Sequence, residues 1–476
     1  MKTLIIIVWC ITFGCVTISS ATTVKGKVVS SGNPIPSVQV TDGKSIVLTD
    51  KRGNFTLETF SGSKYIYYSL PSGYNSPLEN GIPVFYEKIN NNSLIQRVNF
   101  ELEKSKVSQY KHVFILWADP QIQKLEEFDK LKIVVEDVNK TIATIPSRVP
   151  VHAICAGDLV FDKLSFFEKY KQVISALKVP FYQVIGNHDL DYNNRSDELS
   201  DKSFSDAFGP SHFSFNVGKI HYVVLKNVFY YGLSRRYIGY IDENQLQWLE
   251  NDLHFLKPGS TLIVSLHIPT VYGESQKPES FLVEMSNSLL NREALYEIFE
   301  PFNTHILAGH SHTQWHTQVK PNIMEHVHAA ASGAWWKGQI CTDGSPQAYT
   351  VYEVNGDSVN WYFKGVNLNK SEQFKVYKTG ADSLLPDCFL ANVYNFDSDW
   401  KVYWYEGDIL QGEMERYWGK DPDAFMLYRP GVARKNSWIN ASETNHLFKA
   451  VPHIKNSKIR VEVIDRFGNK YSKALE

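Results

Sequence analysis

The sequence predicts a central α/β domain flanked by two all-β domains. At 476 residues the chain is too long for a single hydrophobic core. Short apolar runs alternate with helical stretches in its middle, which is typical of a layered α/β domain. Both ends are instead rich in β-branched and aromatic residues with frequent turn pairs. We therefore divide the chain into an N-terminal segment 1–21 and domains at 22–105, 106–367 and 368–476.

Composition indicates a folded protein without a polyanion-binding surface. The hydrophobic share is 43% and the charged share 21%, which gives no reason to expect long disorder. The net charge of −2 lacks the basic excess that captures nucleic acid electrostatically. We therefore expect no nucleic-acid-binding surface.

Residues 1–21 have the layout of a secretory signal peptide. Lys2 precedes an apolar run from Leu4 to Val16, and small residues follow up to Ala21. We expect export to the periplasm, the cell surface or the medium, and a lipid anchor at Cys15 is a weaker alternative. No other segment is long and apolar enough to span a membrane.

The remaining cysteines do not indicate a disulfide framework or a thiolate metal site. Only Cys155, Cys341 and Cys388 remain after the signal segment, and they are widely spaced. Cys155 lies in an apolar run and is interpreted as a small buried hydrophobic residue.

Residues 22–105 predict a β-sandwich. Apolar and polar positions alternate, and turn pairs occur at Ser31-Gly32, Asp42-Gly43 and Arg52-Gly53. Because the segment lacks a cluster of metal-ligating or catalytic residue types, we interpret it as a structural spacer. A sugar- or surface-binding role is the alternative.

The central domain predicts helices over 124–144, 245–255 and 287–299, each at a helical spacing of apolar residues. The C-terminal domain predicts strands over 388–406, 416–429 and 458–473.

Polar residues of the types that bind metals close several apolar runs of the central domain. An open α/β sheet presents its chemistry at the carboxyl ends of its strands, so these residues are expected to meet. They are Asp119, Gln121, Asp158, Asn187, His188, His267, His310 and His312.

This set indicates two metal ions. Two carboxylates, one or two amide oxygens and three imidazoles, without sulfur, suit Mn, Fe or Zn. A single zinc site with three protein ligands and a water would use only half of them. Two divalent or trivalent ions sharing one carboxylate would use them all, and Asp158 beside Gly157 is the best candidate for the bridge.

The order of these motifs resembles the calcineurin-like metallophosphoesterase superfamily, in particular an exported bacterial branch with N- and C-terminal β domains. The matching blocks are Asp119-Pro120-Gln121, Gly157-Asp158, Gly186-Asn187-His188-Asp189, His267 within LHIP, and Gly309-His310-Ser311-His312. The resemblance implies a four-layer α/β/β/α core. It assigns one metal to Asp119, Gln121, Asp158 and His312, and the other to Asp158, Asn187, His267 and His310.

The expected reaction is hydrolysis of a phosphomonoester or phosphodiester by a hydroxide that two metals activate. His188 would face the substrate and protonate the leaving group, with Asp158 and Asn187 as its catalytic neighbours. Asp189 or Asp162 could orient the imidazole, and the sequence does not choose between them. Most members of the superfamily have histidine where this chain has Gln121, which leaves the identity and occupancy of the first metal open.

Other polar and aromatic residues near these motifs have no ligand pattern. His305, His316, His326 and His328 are assigned to structure by default. Trp335 and Trp336 are interpreted as packing between domains, with a wall for the leaving group as the alternative. The loop arginines that could contact a second charge on a substrate are Arg195, Arg235 and Arg236.

Two further classes of function stay open. One is a non-catalytic surface or glycan-binding protein that retains the fold, which the complete ligand set disfavours. The other is a mononuclear zinc hydrolase of peptides or amides, which the surplus of ligands and the absence of an H-E-x-x-H motif disfavour. The sequence does not distinguish a phosphomonoesterase from a phosphodiesterase, and the partner is a phosphorylated substrate of undefined identity.

Overall fold

The computed structural model describes residues 22–273, 280–429, 439–454 and 457–475. The predicted signal segment and Cys15 lie outside these residues. Among the described residues no helix has the length and apolar character needed to cross a bilayer.

The N-terminal domain is a sandwich of two four-stranded sheets with short additional strand pairs. Gly32, Gly43 and Gly53 all have positive φ, as expected for glycines in the predicted turns. The strands are β1 (Thr23–Ser30), β2 (Asn33–Pro34), β3 (Gln39–Thr41), β4 (Ile46–Leu48), β5 (Asn54–Glu58), β6 (Tyr65–Tyr68), β7 (Tyr74–Asn75), β8 (Leu78–Glu79), β9 (Ile82–Pro83), β10 (Tyr86–Lys88), β11 (Ile95–Glu101) and β12 (Glu103–Lys104).

The central domain contains a five-stranded and a six-stranded sheet. Its strands are β13 (Lys111–Trp117), β14 (Val151–Cys155), β15 (Phe181–Gln183), β16 (Phe213–Val217), β17 (Ile220–Val224), β18 (Val228–Leu233), β19 (Arg236–Gly239), β20 (Thr261–Ser265), β21 (Asn303–Ala308), β22 (Trp315–Lys320), β23 (Ile323–Val327), β24 (Ala348–Asn355) and β25 (Ser358–Gly365). Its helices are α1 (Glu127–Ala143), α2 (Phe167–Ile174), α3 (Lys202–Phe208), α4 (Glu243–Leu253), α5 (Phe281–Asn287) and α6 (Arg292–Phe299).

The two sheets pack face to face with helices on both outer sides. The first has the order β15-β14-β13-β24-β25 and the second β16-β17-β20-β21-β23-β22. Because side chains alternate along a strand, Phe114 and Leu116 of β13 enter the core between the sheets. Ile115 and Trp117 face α1 and α2 instead. The four-layer α/β/β/α arrangement and the α/β fold class are therefore confirmed.

The second sheet repeats this division. Ile263 of β20 faces the core between the sheets, whereas Leu262 and Val264 pack on α4 and α6. Within this sheet β17, β20, β21 and β23 run parallel to their neighbours in that order. β13, β14 and β15 are parallel in the first sheet. The carboxyl ends of both parallel groups bear the candidate residues.

The helix predicted over 124–144 begins later, at Glu127. The Glu127 carboxylate accepts hydrogen bonds from the backbone N–H groups of Gln123 and Lys124, at 2.7 and 3.1 Å. These bonds hold the preceding residues in a turn. The helix predicted over 245–255 is α4, which begins at Glu243 because the Asp242 side chain caps it.

The helix predicted over 287–299 is α6, which begins later, at Arg292, while Asn287 ends the separate helix α5. The backbone N–H groups of Leu289 and Leu290 donate to the carbonyls of Pro269 and Gly239. These tertiary hydrogen bonds take the connecting residues out of the helix. They also bring the end of α5 beside the candidate residues.

The C-terminal domain is a second sandwich of two four-stranded sheets. Its strands are β26 (Phe374–Tyr377), β27 (Phe389–Val393), β28 (Lys401–Glu406), β29 (Ile409–Glu413), β30 (Glu415–Lys420), β31 (Glu443–Ala450), β32 (Ile459–Ile464) and β33 (Lys470–Ala474). Strand structure over all of 416–429 is wrong, because residues Pro422–Tyr428 form helix α7. The Asp421 side chain caps α7 and Pro422 occupies its first position, a pattern that predicts a helix start.

The N-terminal sandwich shares one hydrophobic core with the central sheets. A bridge joins Leu70 to Phe215 of β16, and the Ser214 hydroxyl donates to Ser69 at 2.8 Å. Lys64 forms an ion pair with Asp201 at 2.7 Å. The N-terminal domain therefore packs directly against the second sheet.

Candidate metal centre

The candidate residues follow the carboxyl ends of strands from both central sheets. The strands and the residues that follow them are β13 with Asp119 and Gln121, β14 with Asp158, β15 with Asn187 and His188, β20 with His267, and β21 with His310 and His312. The structure brings all of them to one place. Apart from His188, each of these side chains contacts at least one other member of the set.

Five of these residues adopt left-handed backbone conformations. Their φ angles are 52° at Asp119, 44° at Gln121, 55° at Asp158, 69° at His310 and 57° at His312. Such conformations disfavour residues with a Cβ atom and persist where the surrounding structure requires them. Here they turn consecutive polar side chains from the strand ends toward a common point.

Glycines make the close approach of these loops feasible. A Cβ atom on Gly186 would lie 2.1 Å from Asp158 Oδ1, and one on Gly157 would lie 2.5 Å from His267 Nδ1. A Cβ on Gly309 would lie 2.6 Å from Asp119 Oδ2. Each glycine thus leaves space that a candidate side chain occupies.

The first group of candidate atoms surrounds His267 Nε2. It lies 3.1 Å from Asn187 Oδ1, 3.2 Å from His310 Nδ1 and 3.3 Å from Asp158 Oδ1. His267 Nδ1 lies 2.8 Å from the carbonyl of Ala156, to which it can donate a hydrogen bond. This contact leaves Nε2 as the nitrogen that could bind a metal.

His310 is oriented in the same way, with its ring nitrogens reversed. Its Nε2 lies 3.0 Å from the carbonyl of Ser286 and can donate to it. The lone pair of Nδ1 then faces His267 Nε2. Two imidazole nitrogens and two side-chain oxygens therefore direct lone pairs at one small volume, which a cation would stabilise.

The second group contains two buried oxygens without a hydrogen-bond donor, Asp119 Oδ1 and Gln121 Oε1. Asp119 Oδ1 lies 3.3 Å from His312 Nε2. The Gln121 amide donates through Nε2 to Asp158 Oδ2 at 2.7 Å, which leaves its oxygen for another partner. Buried acceptors without donors are costly, so this group also fits a cation.

Asp158 joins the two groups, with Oδ1 in the first and Oδ2 in the second. Burial alone would raise its pKa, but the positive charge available on His267 and His188 lowers it below the ordinary value. For His267 burial opposes protonation, yet the Asp158 charge raises its pKa to about 9. Ligand atoms of Asp119, Asp158 and His267 all lie within 4.8 Å of one another. The centre is therefore strongly favourable to positive charge.

His188 lies beside this centre, and its imidazole contacts a carboxylate that is not a member of the candidate set. Its Nδ1 lies 2.9 Å from Asp162 Oδ1, and its ring stacks on Phe161 with centroids 3.8 Å apart. Burial disfavours the charged imidazole, but the negative charges of Asp158 and Asp162 raise the pKa of His188. Arg235 holds the other oxygen of Asp162 at 2.8 Å.

Of the two carboxylates considered for orienting His188, the structure places Asp162 in contact with it. Asp189 is fully buried and accepts hydrogen bonds from the backbone N–H groups of Leu159, Val160 and Gly186. Burial and the Asp158 charge raise the pKa of Asp189 to about 7. Asp189 thus fixes the loops on which Asp158 and His188 lie.

The four histidines assigned to structure lie away from the centre within the second sheet. His305 Nδ1 lies 2.9 Å from His326 Nε2, and His316 Nε2 lies 2.8 Å from Asn395 Oδ1. His328 contacts the carbonyl of Ala308 at 2.8 Å. Their partners are internal to the sheets and the C-terminal domain.

The two neighbouring tryptophans have different surroundings: Trp336 packs in the hydrophobic core, and Trp335 contacts a candidate ligand. Trp336 is buried in the core beneath α1. Trp335 has a ring centroid 4.5 Å from that of His312. Of the loop arginines, Arg235 reaches the site through Asp162, while Arg236 is exposed at the start of β19.

Two supports of the centre escaped the sequence analysis. Asn227 is fully buried, and its Oδ1 accepts from the backbone N–H groups of His267 and Ile268, both at 3.1 Å. It follows β17, so the same strand-end signal could have identified it. Asp343 accepts from the N–H of Gln314 at 2.7 Å and lies 3.3 Å from His446. No sequence pattern indicated this second connection.

Known proteins resemble this chain along most of its length. The family described as calcineurin-like phosphoesterase matches residues 112–314. The N-terminal part of calcineurin-like phosphoesterases matches 22–105, and the C-terminal part matches 325–471. The human serine/threonine-protein phosphatase CPPED1 is 24% identical over 236 residues, which are 45% of this chain and 73% of that protein. The CPPED1 of Pongo abelii is 25% identical over the same length.

Solved structures also match, among them two phosphatases. A dimetal phosphatase from Danio rerio is 15% identical with a TM-score of 0.38, and the match covers 53% of this chain and 96% of that one. A purple acid phosphatase from yellow lupin is 12% identical with a TM-score of 0.40, covering 74% of this chain and 68% of that one. From the matches to all three of its domains, this chain belongs to the calcineurin-like phosphoesterase family.

Proposed function

We propose that this chain is a phosphoesterase that hydrolyses a phosphomonoester or phosphodiester with two metal ions, drawn from Mn, Fe and Zn. Membership of the family supports hydrolysis of a phosphoester bond. The observation that carries the proposal is the position of Asp158 between two groups of ligand-type side chains, with one carboxylate oxygen in each group. Fixed imidazoles and orphaned buried oxygens surround that carboxylate.

Asn187, His267 and His310 would hold one ion with Asp158. Asp119, Gln121 and His312 would hold the other, again with Asp158 as the shared ligand. Two cations so held would clamp phosphate oxygens and lower the pKa of a water molecule for in-line attack.

The protein's own groups account for the proton that the leaving oxygen requires. His188 is partly exposed, at 22% of its side chain, and so can reach a substrate beside the centre. With Nδ1 bonded to Asp162, Nε2 of the imidazolium carries the proton that His188 would donate. The raised pKa of His188 favours the protonated imidazole, which is the form that a general acid requires.

The experiment is hydrolysis of p-nitrophenyl phosphate and of bis-p-nitrophenyl phosphate by metal-stripped protein reloaded with Mn, Fe or Zn. Metal content per chain is counted in parallel. The variants are Asp158→Asn for the metals and His188→Asn for proton donation. His254→Asn is the control for the second, because His254 is exposed on the surface after α4.

We expect about two metals per chain, turnover that depends on them, and an inactive Asp158→Asn variant. His188→Asn should keep its metals and lose activity, while His254→Asn should match the unmodified protein. A chain that binds no metal would instead favour the non-catalytic binding protein. One ion per fully active chain would favour the mononuclear hydrolase.

Export is part of the proposal and rests on the sequence of residues 1–21 alone. Mass spectrometry of the mature protein should find Thr22 as its first residue. A mature chain beginning at Cys15 would replace this with a lipid anchor, and retention of Met1 would refute cleavage.

A further inference from the structure

A cleft of about 270 Å³ opens beside the metal centre, between the central and C-terminal domains. His310 and His312 lie in its wall on one side. Trp418 of β30 and the first residues of β31, beginning at Glu443, lie on the other. An ester whose phosphate is held near the histidines would therefore have its organic group in contact with the C-terminal domain.

Three tryptophans line this cleft, and two of them, Trp335 and Trp418, face it from opposite sides. Trp335 packs against His312, with ring centroids 4.5 Å apart, and has a φ of 48°. A left-handed conformation is unusual for so bulky a residue and indicates that the surrounding turn is constrained. Trp418, on the opposite side, is 42% exposed. Exposed tryptophan in a cleft supplies a stacking surface for a ring.

The remaining lining mixes apolar residues, among them Val271, Tyr272 and Trp315, with polar ones, and it carries little charge. Asn287, Thr313 and Ser442 contribute amide and hydroxyl groups. Glu443 contributes a carboxylate, and no lysine or arginine is among the described residues that line the cleft. A long alkyl group would leave the amide and hydroxyl groups without partners, and an additional anionic group would find no lysine or arginine among the described lining residues.

The C-terminal wall of the cleft is fixed relative to the metal centre. Asp343 accepts from the backbone N–H of Gln314, two residues after His312, and contacts His446 of β31. The Thr342 and Ser442 hydroxyls lie 2.7 Å apart. These bonds connect the histidine loop and β31 directly, so the cleft is a built site and not a loose contact between domains.

We propose that this cleft binds the leaving group of the substrate, and that the leaving group is an uncharged ring bearing hydroxyl groups. This chemistry is shared by a sugar and a nucleoside. The inference rests on the proposed phosphoesterase activity. It assigns the C-terminal domain to substrate specificity, with Trp418 as the stacking residue.

The test measures inhibition constants against hydrolysis of a p-nitrophenyl ester by the metal-loaded protein. The competitors are glucose 6-phosphate, adenosine 5′-monophosphate, β-glycerophosphate, which lacks a ring, and fructose 1,6-bisphosphate, whose leaving group is anionic. The variant is Trp418→Ala. The control is Phe425→Ala, because Phe425 of α7 is equally exposed, at 44%, and lies outside the cleft.

We expect glucose 6-phosphate or adenosine 5′-monophosphate to bind about tenfold more tightly than β-glycerophosphate, since ring stacking contributes at this level. Fructose 1,6-bisphosphate should have no such advantage. Trp418→Ala should remove the advantage and Phe425→Ala should keep it. Which of the two ring compounds is preferred distinguishes a sugar from a nucleoside.

An equal preference in Trp418→Ala and the unmodified protein, or no preference for a ring at all, would overturn the inference. Saturation-transfer NMR with methyl glucoside, adenosine and glycerol gives a second measurement that needs no turnover. Absence of metal-dependent hydrolysis would refute the proposed function, whereas normal hydrolysis without ring binding in either measurement would refute only this inference.

Discussion

Replacing Asp162 with asparagine tests the orientation of His188 without changing a proposed metal ligand. Asp162 lies outside the proposed ligand set, and its Oδ1 lies 2.9 Å from His188 Nδ1. Losing the charge from this hydrogen bond should cost about 1.5–3 kcal/mol. If the bond acts in the transition state, that corresponds to a kcat lower by about 10–100-fold.

The size of the loss should depend on the leaving group. An alkoxide needs a proton as it departs, whereas p-nitrophenolate departs readily without one. Asp162→Asn should therefore lower kcat for an alkyl phosphoester by the full factor and for the p-nitrophenyl ester by less than about threefold. Asp357→Asn is the control, because it changes an exposed ion-paired carboxylate far along the chain.

The pH profile gives an independent readout of the same variant. Burial opposes protonation of His188, while Asp158 and Asp162 together raise its pKa. A general acid must be protonated, so activity falls as pH rises through that pKa. Removing one of the two charges should move this alkaline limb to lower pH. Equal loss for both esters with an unmoved limb would refute the role assigned to Asp162.

Three further predictions concern the supports of the centre. Gly186→Ala should lower the number of metals bound per chain and the melting temperature, because the added Cβ would lie 2.1 Å from Asp158 Oδ1. Metal analysis and calorimetry measure these two effects. Unchanged metal binding would contradict the prediction. Asp343→Ala should lower the free energy of unfolding by about 3–5 kcal/mol in denaturant titrations, because it removes one partner of a buried network. A decrease below about 1 kcal/mol would contradict this prediction. Glu325 of β23 is buried and accepts hydrogen bonds from the backbone N–H and the hydroxyl of Thr270, three residues after His267. Burial raises the pKa of Glu325 to about 7 from 4.5, so the unfolded chain loses this proton first and stability should fall with rising pH across that interval. Glu325→Gln should remove that fall in pH-dependent unfolding, and an identical pH dependence in both proteins would refute the assignment.

Sequence motifs indicated the centre because ligand-type residues closed apolar runs one after another. Asp158 was identified as the shared carboxylate from its neighbouring glycine and its place among the motifs, and the structure places its two oxygens in two groups. Its role as a metal bridge stays a prediction. The late start of the helix predicted over 287–299 could not be predicted from its pattern, because Leu289 and Leu290 donate hydrogen bonds to the carbonyls of Pro269 and Gly239 elsewhere in the chain.

Local pattern by itself determined the fold class, the strand ends and the residue types that gather there, because periodicity and turn chemistry are properties of neighbouring residues. Tertiary structure alone decided which atoms face each other. It chose Asp162 over Asp189 for His188, fixed the ring nitrogens of His267 and His310 through backbone carbonyls, and placed Trp418 across a cleft from His312. Contacts between residues far apart in the chain depend on how whole sheets and domains pack, which no local pattern records.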